Sequence, residues 1–505
     1  MIRDVAVPAD DASVAVISLY VKQEKIYARA VSGWFAWWRW ALVVLTQLVF
    51  YGLPWLQWNA RQAVLFDLTA RRFYIFELVL YPQDFIFLTG LLVISAWSLF
   101  LFTAVAGRVW CGFACPQTVY TEIFMAIERW FEGDRMARLK RDRGPWTIAR
   151  GWRSAAKHVT WVTIALWTGL TFVGYFTPMR EMVVNVAALA FTPWEAFWVL
   201  FYGAATYGNA GFLREQVCKY MCPYARFQSA MFDRDTWVIS YDPQRGEPRG
   251  KQREGRREGR ARELAARSQG QGKASKGDCI DCGLCVQVCP TGIDIRAGLQ
   301  YECIGCAACI DVCDGVMDKM QTPRGLIRYV TQNGLDGQWS RARMMRTVLR
   351  PRVAIYAAIL VLVVAALGVG LMLRPPLRVD VVRDRAALAH LVDAGDVENV
   401  YRLQLMNATE STLRVRIGVD GGGGGGGVNG LAGLRVASGA EPVQLDPTQA
   451  RWVTVALRVP AATALSSSKG AHRIQFKIEH IADAPQGAAM HAAVLREAST
   501  FVLPR

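Results

Sequence analysis

The chain has 505 residues, 52% of them hydrophobic and 20% charged, with a mean hydropathy of +0.17 and a formal net charge of +16. That length exceeds one ordinary domain and points to about three units. Long apolar runs beside densely charged segments exclude a simple soluble enzyme.

Residues 1–35 hold no short apolar segment followed by a small-residue cleavage site, so they read as a cytoplasmic N-terminal segment and not as a cleaved signal. Five stretches then lack charge for roughly the 20 residues that a bilayer core demands of a helix: 40–58, 85–106, 159–177, 196–213 and 353–373. The fourth is the weakest, its second half being small and polar. Lys and Arg concentrate between them in 107–158, with ten, and in 214–352, with twenty-four, whereas 59–84 has Arg61, Arg71 and Arg72 and 178–195 has only Arg180. Cytoplasmic loops hold such an excess, so the N-terminus and both basic segments are expected inside and everything after residue 374 outside. The positive charge is thus a topological signal and argues against a nucleic-acid partner.

The second apolar stretch ends in WCGFACPQTVY, with Cys111 and Cys115, and the fourth ends in QVCKYMCPYARF, with Cys218 and Cys222. The repeated C-x3-C-P reads as the end of each half of an internal repeat. Proline suits the first turn of a helix, which places Cys115 and Cys222 at the N-caps of helices expected over Pro116–Phe131 and Pro223–Phe232. The helix dipole there is expected to lower the thiol pKa. Thiolates so placed could bind a soft ion such as Cu(I), cycle as a redox pair or hold another cofactor.

A polar basic stretch, 233–276, reads as a linker, a solvated tether or loose helix. The runs CIDCGLCVQVCP and CIGCAACIDVCD follow. Each has the C-x2-C-x2-C-x3-C spacing in which three near thiolates grip one cubane and the remote fourth grips the other. One [4Fe-4S] cluster is therefore assigned to Cys279, Cys282, Cys285 and Cys313, and a second to Cys303, Cys306, Cys309 and Cys289. Zinc, which favours two-plus-two groupings, does not explain this spacing. Asp314 stands where such motifs usually carry proline. Paired membrane histidines, CxxCH, a Walker A loop and a dinucleotide fingerprint are all absent from the sequence, so haem, ATP and direct NADH chemistry lack support.

After a connector, 331–352, and the fifth apolar helix, 353–373, the pattern changes to period two. RVDVV, NVYRLQLMN, LRVRIGV, RWVTVALRV, HRIQFKIEH and STFVL read as strands of a β-sandwich over 374–505. His472, His480 and His491 are dispersed in it, and the glycine run 421–427 reads as a hairpin tip or insertion.

KIYARAVSGWFAWWRW, RQAVLFDLTARRFYIFELVLYPQDF, both CxxxCP elements, the ferredoxin runs continuing into DVCDGVMDKMQTPRGLIRYVTQNGL, and NVYRLQLMNAT give the chain its likeness to a known family. It resembles the cytochrome c oxidase accessory proteins called CcoG, FixG or RdxA over nearly its whole length. The resemblance implies a polytopic α-helical protein of the bacterial plasma membrane with about five transmembrane helices. It would have a four-helix membrane domain over 36–232, a cytoplasmic double [4Fe-4S] ferredoxin domain over 277–330 and a periplasmic immunoglobulin-like β-domain over 374–505. It implies help in assembling cbb-type oxidase through reduction of Cu(II) to Cu(I). The implied partners are the oxidase assembly machinery, copper-handling proteins, an unidentified electron donor and membrane lipid. Cys111, Cys115, Cys218 and Cys222 become candidate redox or transient copper-binding thiols. A quinol-linked ferredoxin carrier and a non-catalytic assembly scaffold are the alternatives.

Overall fold

A computed structural model of the protein describes residues 25–250, 277–384, 389–392, 395–420, 431–481 and 494–504. Residues 1–24, most of the expected tether, the glycine run 421–427 and His491 lie outside the described residues. Eight helices matter for the site: α1 (Trp34–Gly52), α2 (Phe85–Ala106), α3 (Pro116–Glu132), α4 (Ile148–Val173), α5 (Pro193–Gly208), α6 (Pro223–Met231), α7 (Ala308–Lys319) and α8 (Pro351–Met372). All five apolar stretches are therefore largely helical. Pro82–Ala106 and Pro351–Met372 are long and apolar enough to cross a membrane. The other three fall short for visible reasons. Tryptophan and Arg39 fill the first turns of α1, and Arg150, Arg153 and Lys157 lie in the first half of α4. The backbone of α5 widens after 16 residues into π turns at Asn209–Leu213 and Val217–Met221.

Close approaches fix how these helices pack. A Cβ on Gly169 of α4 would lie 2.4 Å from the Val199 carbonyl oxygen of α5. The α2–α8 pair is tied by Trp97, whose indole N–H donates to the Tyr356 carbonyl at 3.0 Å.

Three short strands between α1 and α2, β1 (Val64–Asp67), β2 (Arg72–Ile75) and β3 (Leu78–Leu80), form an antiparallel sheet. A further pair, β4 (Val238–Tyr241) and β5 (Ile327–Val330), closes the cysteine-rich unit. This corrects the boundary read from sequence: the stretch taken as linker from 233 enters the ferredoxin fold at Val238. Four residues are too short a run for strand alternation to be visible against the charged sequence that follows.

The C-terminal region is a sandwich of two antiparallel sheets. Its strands are β6 (Leu377–Arg383), β7 (Val397–Asn407), β8 (Leu413–Asp420), β9 (Arg435–Ser438), β10 (Val443–Leu445), β11 (Ala450–Val459), β12 (Gly470–His480) and β13 (Val494–Leu503). One sheet runs β9-β11-β7-β6, with the short His390–Leu391 strand also on β7, and the other runs β10-β8-β12-β13. Alternate residues of β7, Tyr401, Leu403 and Leu405, meet Ile417, Phe476 and Phe501 in a buried core. The Tyr401 hydroxyl donates to the Thr500 carbonyl at 2.9 Å, and its ring meets Phe476 edge to face. The β1–β3 sheet docks beneath: Leu65, Tyr74, Val79 and Tyr81 pack with Met406 and Ala408, and buried Asp84, the N-cap of α2, pairs with Arg374 and Arg378.

At the opposite end, the ferredoxin unit caps α1. The Asp311 carboxylate of α7 accepts from the backbone N–H of Phe35 at 3.2 Å and of Ala36 at 2.7 Å. A helix start leaves such donors without internal partners, and here the cap comes from 275 residues away. Only glycine fits at position 33, where a Cβ would meet the Asp311 side chain at 2.4 Å.

Candidate functional site: eight cluster cysteines and a four-thiol turn

The two ferredoxin runs wrap around two cavities. Cys279, Cys282, Cys285 and Cys313 line one, together with Tyr241, Met317 and Leu326. Cys289, Cys303, Cys306 and Cys309 line the other, with Ile239, Ile293, Ile295 and Ile304 among its remaining wall residues. Cys285 borders both, so the cavities adjoin. The backbone after each near pair turns left-handed, at Gly283 and at Ala307, before a helix carries the third cysteine. Asp314, at the position usually held by proline, accepts from the Gly325 N–H at 2.9 Å and holds the chain leaving α7.

Burial drives these thiols upward in pKa: Cys285 and Cys303 to about 11, Cys306 and Cys313 to about 12. Buried thiols become stable ligand anions when metal replaces their protons. Among the described residues no three His, Cys, Asp or Glu side chains converge closely enough for one metal ion. Each cavity is lined by the four thiols that its motif assigns, the ligand number and type of a [4Fe-4S] cluster.

The other four cysteines belong to two turns of similar construction. Cys111 lies in the short helix Val109–Phe113 and Cys218 in the π turn Val217–Met221, while Cys115 and Cys222 are the N-caps of α3 and α6. The turns meet. Every pair among the four thiols is within electrostatic reach, and the Cys111 thiol donates to Gln228 Oε1 of α6 at 3.5 Å. The expected lowering of thiol pKa at the helix start is corrected. Burial pushes Cys111 to about 12 and Cys218 to about 11, and it raises Cys115 although the N–H groups of Gln117 and Thr118 bond to its sulfur. Desolvation of the charged form outweighs the helix end.

This four-thiol turn sits directly on the second cavity. Cys111 and Cys218 pack against Val288, Ile304 and Cys306, and a Cβ on Gly112 would lie 2.7 Å from the Gly305 backbone. Two buried arginines, absent from the sequence-based site, bind the parts together. Arg108 donates to the Cys303 carbonyl at 2.9 Å, to the Tyr301 carbonyl, and to the Ala225 carbonyl at 2.8 Å. Arg39 donates to the Cys306 carbonyl at 3.3 Å and faces Glu122 at 3.6 Å. The one sequence signal was Arg108's place as the first charge after α2.

Comparison with known proteins follows the same divisions. Residues 213–332 match a family described as a 4Fe-4S dicluster domain, 87–133 a 4Fe-4S binding domain, and 367–504 the IG-like fold at the C-terminal of FixG. Fold and site thus define an iron-sulfur protein of ferredoxin type with an immunoglobulin-like C-terminal domain. The nitrogen fixation protein FixG of Rhizobium meliloti is 38% identical over 464 residues, covering 85% of this chain and 86% of its own. In Cereibacter sphaeroides, protein RdxA is 38% identical over 85% of this chain and 89% of its own, and RdxB 41% identical over 77% and 80%. The chain belongs to the FixG/RdxA family.

Proposed function

We propose that this protein is a multi-pass membrane iron-sulfur reductase that converts Cu(II) to Cu(I) for assembly of cbb-type cytochrome oxidase. The observation that carries the reading is the contact of the four-thiol turn, at the end of an apolar helix, with the Cys306 wall of the second cavity. Cys279, Cys282, Cys285 and Cys313 would hold one cluster and Cys289, Cys303, Cys306 and Cys309 the other. When bound, such clusters supply single electrons, the unit that Cu(II) requires. Cys282 is the exposed member of the eight, so the electron donor docks at that face. Arg39 and Arg108 place buried positive charge beside the second set, which favours an added electron there.

Five membrane helices, a cytoplasmic ferredoxin unit and a periplasmic sandwich complete the reading. Its support is the way the connections sort themselves. The 57–84 segment packs on the sandwich, whereas Arg108, Gly112 and the four thiols pack on the ferredoxin unit. The sandwich and the outer loops are the surface offered to oxidase assembly partners.

The decisive experiment is anaerobic. Reduced, detergent-solubilised protein is mixed with Cu(II) while cluster EPR and chelated Cu(I) are followed together. Stoichiometric Cu(I) with cluster reoxidation is expected. Clusters that ignore copper and reoxidise only with quinone would overturn the reading in favour of a quinone-linked carrier.

A further inference from the structure

We propose that residues 136–153 form a docking surface for anionic phospholipid headgroups on the ferredoxin side of the bilayer. Along α4 one stripe stays exposed, with Ile148, Trp152, Val159, Val162 and Leu166 at helical spacing, while Lys157 and Trp161 are buried on the opposite side. From Val159 onward the stripe lies in apolar sequence suited to acyl chains. Toward the N-terminus it continues without a break beside Arg153, where Ile148 is 94% and Trp152 73% exposed. The same face therefore passes from hydrocarbon to headgroups.

The preceding short helix, Arg135–Arg143, is tied to the start of α4 by Arg150, which donates to the Gly144 carbonyl at 2.7 Å and lies over the exposed Trp146 ring at 4.7 Å. Arg138 is the buried side of that helix, and Met136, Lys140 and Arg143, at i, i+4 and i+7, are exposed on the opposite side. Apolar and cationic side chains thus share one surface. Charge selects the lipid. Lys140, Arg143 and Arg153 make no ion pair among the described residues, whereas the acids nearby are engaged: Glu128 holds Arg138 and Arg214, Glu132 holds Arg141 and Lys157, and Asp142 holds Lys25 and Arg141. Indoles suit any membrane–water interface, but unpaired cations beside them attract anionic headgroups. Continuity with the lipid-facing stripe of α4 assigns the surface to the bilayer and not to a soluble partner. Since α3 starts at the Cys115 turn and ends at Glu132, next to this surface, headgroup contact holds the far end of a helix that carries a site thiol at its N-cap. The inference rests on the membrane placement proposed above, and on neither copper nor the clusters.

The test compares full-length protein in bilayer discs of phosphatidylcholine alone and of equimolar phosphatidylcholine and phosphatidylglycerol, with amide exchange as the readout. Exchange across 136–147 is expected to be about tenfold slower in the phosphatidylglycerol discs, within the reach of three cations at a charged surface, and the difference fades at high salt. In the K140Q/R143Q/R153Q variant the two discs give equal rates, while 301–309 and the sandwich exchange as in the unaltered protein. The W146S/W152S variant, which keeps the cations, loses protection in both discs. Equal rates for the unaltered protein in the two discs, or a phosphatidylglycerol effect that survives in the triple variant, would overturn the proposal. So would slowing by soluble glycerol phosphate in phosphatidylcholine discs, which marks a free-anion site. Protein that enters neither disc would instead overturn the membrane placement itself, and this inference with it.

Discussion

Arg108 holds three carbonyls from two distant stretches of chain, Tyr301 and Cys303 on one side and Ala225 on the other. A buried guanidinium of this kind is always charged, and its field favours an extra electron nearby. Replacing it by glutamine is expected to retain iron while lowering the midpoint potential of the second cluster by about 60 mV, a tenfold change in a one-electron equilibrium. Redox titration by EPR checks this; an unchanged potential would assign Arg108 to packing alone. The residue scale is also where sequence is least informative. Cysteine spacing announces eight thiols and the CxxxCP repeat announces four more. Arg108, however, counts there as one of ten topological charges, and Asp311 as an ordinary acid within the second run. Their roles depend on partners 117 to 276 residues away, which no local pattern encodes.

Between elements, the tightest junctions depend on missing side chains. Gly112→Val would drive new carbon into the Gly305 backbone, where even a Cβ comes within 2.7 Å. The ferredoxin unit is expected to lose its seat on the CxxxCP turn, seen as faster amide exchange in 301–309 with the sandwich unaffected. Asp311→Ala removes the cap from the start of α1, a loss of about 1 kcal/mol by analogy with ordinary N-caps. The expected sign is faster exchange at Phe35 and Ala36, and unchanged rates would show that the helix start is held by other contacts. In the sandwich, Tyr401→Ala opens a cavity in the core and should cost about 3–5 kcal/mol, read as a lower melting temperature of the C-terminal unit. The long strands were legible because each buries one face and so alternates. Short β9 and β10 were not, because four and three residues give alternation too little room. Both Cys-Pro helix starts were legible from proline chemistry, and α3 and α6 begin at Pro116 and Pro223.

Across the whole molecule, the charge pattern predicts which connections share a side, and the contacts sort in the same way: 57–84 with the sandwich, the CxxxCP turns with the ferredoxin unit. Reporter fusions test the proposed orientation. Alkaline phosphatase joined after Pro504 should be active in cells and one joined at Gly250 inactive, and the reverse pattern would invert the topology. The number of crossings was less legible, because tryptophan, threonine and basic residues dilute α1 and α4 and a change of helical pitch interrupts α5. One further consequence lies in α2. Its N-cap, Asp84, is clamped by two arginines of the sandwich stem, and Arg108, one residue past its C-cap, is clamped by the cysteine loops. Between them runs a rod of 22 residues, about 33 Å long. With both ends pinned, the spacing of the two domains is set by the length of this one helix. The helix acts as a fixed ruler between the ferredoxin unit at one end and the sandwich at the other.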